Sequence, residues 1–324
     1  MHIFEQERGL TLACLLCTHI LASQAQQEVL VEYGDFEQWV TRNIKESAVL
    51  GGEKKTLMAI GPERTIDKTE PYTNEGGSPW STSNVLAKIS GIAKGSANVF
   101  PDKHGNGRCA RLTTHIDAVR ALGMVNVNVL AGGSVFTGKT LEPITSSKNP
   151  MAKISLGIPF TRRPKAIKFD YKVKLADAPN RRKVSGMGKE EEIKGKDYAL
   201  ALCILQKRWE DKDGKLHAQR VGTMIRRFTQ SVDNWQENQV FPIHYGDITH
   251  ESYYTNYMGL IGGVQTFYAQ NSKGKNVPIL EEGWADAAET PTHVVIRFLS
   301  SHGDAYIGSP GNTLWIDNVK FVYE

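Results

Sequence analysis

The chain has 324 residues, of which 40% are hydrophobic and 23% are charged, so it can bury a sizeable core and is not typical of a disordered protein. Its 39 basic and 35 acidic residues give a formal net charge of +4. This balance is too weak, and the basic residues are too scattered, to favour nucleic acid as a partner.

The first 25 residues are typical of a secretion signal. Residues 10–21 form an apolar run that is too short to span a bilayer, and Ser23 and Ala25 are small residues of the kind that a signal peptidase reads. Two acidic residues near the start depart from the usual basic beginning of such a leader. We expect a mature chain that starts at Gln26 and contains no transmembrane segment.

The mature chain is expected to be one jelly-roll domain over residues 26–324, in which 26–79 is a candidate semi-independent extension. This opening segment holds a short strand-like run, a Gly-Asp turn and a polar loop that contains proline and glycine. From Trp80 onwards, strand-like runs recur at short intervals.

Residues 133–140, with the sequence GSVFTGKT, match the phosphate-binding P-loop pattern letter for letter. A strand-like run precedes them, but Glu142 and Pro143 follow where a P-loop requires a helix to begin. The segment is therefore interpreted as a glycine-rich loop or hairpin, and no nucleotide is expected as a partner.

The clearest predicted strand is 166–175, where apolar residues at odd positions alternate with three lysines and Asp170 at even positions. We expect Phe169 in the core and Asp170 on the polar face. Residues 198–209 are apolar on both faces, as in a central strand, and 211–214 read as a hairpin turn. Many short strands joined by Gly- and Pro-marked turns predict an all-β, antiparallel β-sandwich of the jelly-roll type.

The C-terminal strand shows a change of parity that predicts a β-bulge. Leu314 and Ile316 share one parity, whereas Val319 and Phe321 share the other. One extra residue at positions 317–318 places both pairs on the same buried face.

Candidate carbohydrate-binding residues come mainly from aromatic side chains near turns, because sugar rings stack on exposed indoles while polar neighbours bind the hydroxyl groups. Trp80 is the first candidate because its setting, PWSTSN, is polar on both sides, and Asn84 is its hydrogen-bonding neighbour. Trp209 and Asp170 are the others. For each tryptophan the alternative is a place in the core, and for Asp170 it is an ordinary surface charge. No catalytic residue is assigned.

Asp35, Glu37 and Asp317 are candidate ligands of a structural calcium ion. Jelly rolls commonly bring their first and last strands together, and carboxylates that meet there repel one another unless a cation neutralises them. The alternative is that Asp317 caps the bulge through backbone N–H groups while Glu37 faces solvent. No other cofactor is required. Cys109 and Cys203 are interpreted as two buried thiols in preference to a disulfide.

Five segments in order carry a resemblance to a known family: 34–39, 79–84, 133–139, 157–173 and 298–323, which read GDFEQW, PWSTSN, GSVFTGK, GIPFTRRPKAIKFDYKV and FLSSHGDAYIGSPGNTLWIDNVKFVY. Together they resemble the putative carbohydrate metabolism domain of secreted Bacteroidota proteins. The resemblance implies a jelly-roll sandwich and glycan use at the envelope of a Gram-negative bacterium, by a secreted, periplasmic or cell-surface protein. It supplies no catalytic residue.

Three functions remain open, and each predicts a different surface. A glycan-binding sandwich, the first in our ranking, predicts exposed aromatic residues along a groove. A glycoside hydrolase predicts two carboxyl groups about 5–10 Å apart in that groove. A structural or adhesion protein predicts an apolar patch without a groove.

Overall fold

The computed structural model describes residues 26–74, 77–121, 125–186, 189–262 and 266–324. The predicted leader, residues 1–25, lies outside these ranges, so secretion stays a prediction. Across the described ranges, no helix is long and apolar enough to cross a membrane.

The described residues form short β-strands and three single-turn 3-10 helices, the latter at Ala48–Leu50, Pro150–Lys153 and Asn256–Met258. The strands are β1 (Gln27–Leu30), β2 (Trp39–Lys45), β3 (Lys54–Ile60), β4 (Arg64–Ile66), β5 (Trp80–Thr82), β6 (Val85–Ile89), β7 (Ile92–Ser96), β8 (Val99–His104), β9 (Gly107–Ala121), β10 (Val125–Gly132), β11 (Ser134–Thr140), β12 (Ile154–Leu156), β13 (Ile158–Pro159), β14 (Ala166–Lys174), β15 (Arg181–Lys183), β16 (Glu191–Ile193), β17 (Ala199–Glu210), β18 (Leu216–Phe228), β19 (Val232–Pro242), β20 (His244–Tyr245), β21 (Tyr268–Gln270), β22 (Asn276–Trp284), β23 (His293–Leu299), β24 (Ile307–Gly308) and β25 (Thr313–Tyr323).

Eight of these strands build a jelly-roll sandwich, which confirms the predicted fold class. One sheet contains the order β9-β25-β14-β19, and the facing sheet contains β11-β23-β17-β18. Counted along the chain from one to eight, these strands follow the orders 1-8-3-6 and 2-7-4-5, the arrangement of a jelly roll. Further strands extend the two sheets to seven and ten strands. Among them, β1 pairs antiparallel with β25, so the first and last strands do meet.

The main core lies between the two sheets, and Phe169 is at its centre. The Phe169 side chain has no exposed surface, stacks on Phe241 with 4.6 Å between ring centroids, and meets the edge of Phe298 at 5.0 Å. This confirms the expected burial of Phe169 on β14. Trp39 and Ile60, from the segment 26–79, belong to the same core cluster.

The outer face of the ten-stranded sheet is also buried, which explains why β17 is apolar on both faces. Leu202 and Ile204 point away from the main core and pack with Phe267 and Ile279 in a second hydrophobic cluster. Residues 256–262 and 266–284, which contain β21 and β22 at the end of the ten-stranded sheet, are called the cover. A buried ion pair between Arg220 of β18 and Glu281 of β22 joins the cover to β18.

The bulge predicted in the C-terminal strand is present. Lys168 of β14 pairs with Lys320, but Asp170 pairs with Asp317, so two steps along β14 span three along β25. Asn318 adopts the left-handed conformation there, with φ of 53°. Leu314, Ile316, Val319 and Phe321 consequently all belong to the main core.

The segment with the P-loop pattern is a strand. Residues 134–140 form β11, which pairs with β5, β12 and β23 instead of leading into a helix. Cys109 and Cys203 are both buried free thiols, as expected. Burial raises the pKa of the Cys109 thiol to about 12, so it is unreactive near neutral pH.

Candidate functional site

Trp80 is a core residue, and the expectation of an exposed indole is wrong. Its side chain is 1% exposed, and its Nε1 donates a hydrogen bond to the carbonyl oxygen of Glu32 at 2.8 Å. Asn84 is buried beside it, and its amide donates to the carbonyls of Met58 and Val99. The polar residues of PWSTSN satisfy buried backbone groups, so neither predicted side chain presents a sugar-binding surface.

Trp209 is exposed, as expected of a binding candidate, but one face of its indole is covered. It lies near the end of β17 with 40% of its surface accessible, and it stacks on His217 with 5.5 Å between centroids. Hydrogen bonds to Asp211 and Glu282 raise the pKa of that histidine. A role of Trp209 in glycan binding stays a prediction.

Two of the three candidate calcium ligands, Glu37 and Asp317, are held by different partners. Glu37 is exposed and accepts a hydrogen bond from the backbone N–H of Arg108 at 3.0 Å, whereas Asp317 is buried and faces His104. Among the described residues, the one group of side chains close enough to share an ion contains neither Asp35, Glu37 nor Asp317. Calcium binding by these three carboxylates stays a prediction.

Asp170 occupies the outer face of the seven-stranded sheet, at a point where both neighbouring strands bulge. The register of β14 shifts against β19 and against β25 beside this residue. Asn238 and Asn318, with φ of 56° and 53°, form the two irregularities. The backbone N–H of Asn238 donates to one carboxylate oxygen at 2.5 Å, and the Asn318 amide donates to the other at 2.8 Å. Asp170 is therefore not a surface charge but a buried carboxylate held from both sides.

Three further side chains converge on Asp170. His104, at the end of β8, has its Nδ1 2.6 Å from Oδ2 of Asp317 and its Nε2 3.6 Å from Oε1 of Glu237. The ring of Trp235 stacks on the imidazole at 3.8 Å. Burial raises the pKa of the Asp317 carboxyl to about 6, and the hydrogen bond from His104 opposes that shift. We call His104, Asp170, Glu237 and Asp317 the histidine–carboxylate cluster.

A row of alternating aromatic and cationic side chains crosses the same face next to this cluster; it consists of Phe100, Arg111, Trp315, Lys172 and Trp235. All five are half-buried. The Lys172 ammonium lies 4.4 Å from the ring centroid of Trp315 and 5.7 Å from that of Trp235. The Trp315 Nε1 donates to Asp102 at 2.8 Å, which fixes the orientation of the indole. This aromatic row thus presents two indoles with charged groups between and beside them.

The sequence contains part of the signal for this face. On the N-terminal side of the bulge, Trp315 and Asp317 have the parity opposite to the core residues Leu314 and Ile316, so both are predictably on the outer face. On β14, Lys172 and Asp170 likewise have the parity opposite to the core residues Phe169 and Val173. His104 carries no such signal, because it meets Asp317 only through a pairing that joins residues 213 positions apart.

A second candidate binding site is a cavity of about 520 Å³, which lies on the side of the molecule formed by the loop 147–151 and β21. Its lining includes Lys148, Tyr268, Asp304 and Tyr306. The Tyr306 hydroxyl donates to the carbonyl of Ser147, and the Tyr268 hydroxyl accepts from an asparagine of the loop, so both hydroxyls already hold the loop in place. The cavity therefore offers fewer free recognition groups than the face around Asp170.

Comparison with known proteins gives a family match and similarity to a solved structure. Residues 63–322 match the family model described as "Putative carbohydrate metabolism domain". The matched region begins immediately before β4 and ends within β25. A crystal structure described as a putative glycoside hydrolase from Bacteroides thetaiotaomicron is similar, with a TM-score of 0.48 and 18% identity, over 87% of this chain and 71% of that chain. No curated protein matches the sequence.

Proposed function

The chain belongs to the putative carbohydrate metabolism domain family, and on that premise we propose that it binds a glycan on the outer face of its seven-stranded sheet. The observation that carries the proposal is the aromatic row. Trp315 and Trp235 lie on either side of Lys172, so one glycan that lies across this face of the sheet would contact both flat apolar rings. Indoles in this setting stack on the C–H faces of sugar rings.

The two indoles are also held in place before any ligand arrives. Asp102 accepts the Nε1 hydrogen of Trp315, and the imidazole of His104 supports the Trp235 ring. Fixed aromatic groups lose little conformational entropy on binding, which favours affinity. Lys172 and the exposed Glu237 supply a donor and an acceptor for sugar hydroxyl groups beside the rings.

Glycoside hydrolysis on the same face is the second candidate function. The supporting observation is that a carboxylate oxygen of Asp170 lies within 4.8 Å of one of Glu237. Retaining glycosidases place their two carboxyl groups about 5–5.5 Å apart. The two acids also have different surroundings, since Asp170 is buried and Glu237 is exposed.

A glycan array followed by affinity measurements on the best ligand tests the first candidate. Trp235→Ala and Trp315→Ala should each weaken binding by about tenfold or more, which corresponds to about 1.4 kcal/mol. Trp209→Ala is the comparison variant, because it removes the exposed indole, on a different hairpin, that was expected from the sequence to bind glycan. If the glycan binds on the outer face of the seven-stranded sheet, this variant should bind like the unmodified protein. If Trp209→Ala abolishes binding while the other two variants bind normally, the proposed location is wrong.

Glycoside hydrolysis, the second candidate function, is tested with the same glycans by measuring the reducing ends that hydrolysis releases. Loss of hydrolysis in Glu237→Gln, measured at glycan concentrations that saturate the variant, supports a glycosidase. Absence of product from every bound glycan leaves binding alone as the function.

A further inference from the structure

We propose that His104, Asp170 and Glu237 bind a divalent transition-metal ion, with Zn²⁺ as the representative. One ligand atom from each of these residues lies within 4.8 Å of the other two. The three side chains come from β8, β14 and β19, so regular strands and not a flexible loop position them. The inference does not depend on glycan binding, but an ion held by Asp170 and Glu237 would exclude the two-carboxylate hydrolysis considered above as the second candidate function.

The hydrogen bond between His104 and Asp317 sets the tautomer of the imidazole. Its Nδ1 lies 2.6 Å from Oδ2 of Asp317, which is a strong hydrogen bond. A carboxylate only accepts, so Nδ1 carries the hydrogen, and the neutral ring then has its lone pair on Nε2. Proteins orient metal-binding histidines in this way, with a carboxylate behind the ring and the free nitrogen towards the ion.

The opposite nitrogen of the His104 ring, Nε2, faces the carboxylate of Glu237. The Nε2 of His104 lies 3.6 Å from Oε1 of Glu237, which is too long for a hydrogen bond. Two ligands that share one tetrahedral ion at about 2.1 Å are themselves about 3.4 Å apart. The gap between His104 and Glu237 is therefore of the size that a shared ion requires.

His217 provides the contrast within the same molecule. It also lies between two carboxylates, but its two ring nitrogens are 2.5 Å from Glu282 and 3.2 Å from Asp211. Both distances are those of hydrogen bonds, so each ring nitrogen of His217 has a carboxylate as its hydrogen-bond partner and no ion is needed between them.

The charges around His104 also favour a bound cation. The side chain of His104 is surrounded by the carboxylates of Asp170, Glu237 and Asp317, while Lys172, on the same face, points over the indoles. The described hydrogen bonds to Asp170 come from neutral amide groups, and each of its oxygens retains a further lone pair for an ion. A bound cation would offset the repulsion among the three acids.

The donor set selects the class of ion. One imidazole nitrogen and two carboxylate oxygens suit Zn²⁺ and neighbouring transition metals, whereas Ca²⁺ and Mg²⁺ prefer ligand sets made entirely of oxygen. Three protein ligands leave a coordination position open towards solvent on the side of the exposed Glu237.

Titration of chelator-treated full-length protein with Zn²⁺ by calorimetry tests the site, and tryptophan fluorescence gives a second signal because Trp235 stacks on His104. We expect one ion per chain, and affinity reduced about 10-fold or more in His104→Ala and in Glu237→Gln. Glu237 is exposed, so its variant tests the site without risk to the core. His217→Ala is the matched control and should bind Zn²⁺ normally.

The proposal is overturned if the unmodified protein does not bind Zn²⁺, or if His104→Ala and Glu237→Gln bind it as tightly as the unmodified protein. It is also overturned if Ca²⁺ binds more tightly than Zn²⁺ and that binding is lost in Asp35→Asn, since the ion would then belong to the site expected from the sequence. Glycan affinity of Trp315→Ala is measured separately, so failure of the metal site and failure of glycan binding give different results.

Discussion

At the scale of single residues, burial decides which of the alternating side chains of β14 stabilise the fold. Phe169 packs between Phe241 and Phe298 with no exposed surface, so Phe169→Ala should lower the free energy of unfolding by about 3–5 kcal/mol. The adjacent Lys168 forms a surface ion pair with Glu28, and Lys168→Ala should cost less than about 1 kcal/mol. Urea unfolding of both variants measures the difference. Losses of equal size would contradict the assignment of β14 faces.

At the scale of elements, the two bulges that flank Asp170 have different chemical requirements. Asn318 contributes its side-chain amide to Asp170 and also adopts positive φ, so Asn318→Ala loses a hydrogen bond and strains the backbone. We expect a loss of about 2–3 kcal/mol in the free energy of unfolding. Asn318→Gly removes only the amide and should cost about 1 kcal/mol.

Asn238 is the control for that comparison, because it binds Asp170 through its backbone N–H. Asn238→Gly retains the donor and tolerates the positive φ, so its stability should change by less than about 0.5 kcal/mol. Chemical denaturation of the three variants gives the order. If Asn238→Gly is the least stable of them, the bulges do not support Asp170 as described.

The same elements show how far the sequence predicts this structure. The change of parity between Ile316 and Val319 is enough to predict the bulge, because only an extra residue puts both in the core. Local composition gave the wrong expectation at Trp80, because the polar side chains of Thr82 and Asn84 bond to backbone carbonyl groups of neighbouring strands and the indole is buried. The approach of His104 to Asp317 was beyond sequence reasoning, because it depends on which distant strands become neighbours.

At the scale of the whole molecule, the described residues form two facing sheets, and the cover, which contains the strands β22 and β21 at the end of the ten-stranded sheet, packs on the outer face of that sheet. The cover is attached through a polar contact as well as through the second hydrophobic cluster. Both carboxylate oxygens of Glu281 accept hydrogen bonds from Arg220, at 2.7 Å each, and neither side chain has exposed surface. The same carboxylate accepts the backbone N–H of Ile261 at 2.6 Å, so it fixes the loop that follows the helix Asn256–Met258.

Glu281→Gln should therefore loosen the cover while leaving the glycan-binding face intact. Removal of one charge from a buried pair leaves the Arg220 guanidinium uncompensated, which typically costs about 3–5 kcal/mol. The expected result is a lower free energy of unfolding in urea, together with faster hydrogen exchange across residues 256–262.

Glu191→Gln is the control, because its partner Lys183 and the pair itself are largely solvent-exposed, and it should cost less than about 1 kcal/mol. A Glu281→Gln variant that is no less stable than Glu191→Gln would show that the hydrophobic cluster alone attaches the cover. Unchanged glycan affinity in Glu281→Gln would exclude the loop 256–262 of the cover as the glycan-binding site, because a site there would lose its shape together with the loop.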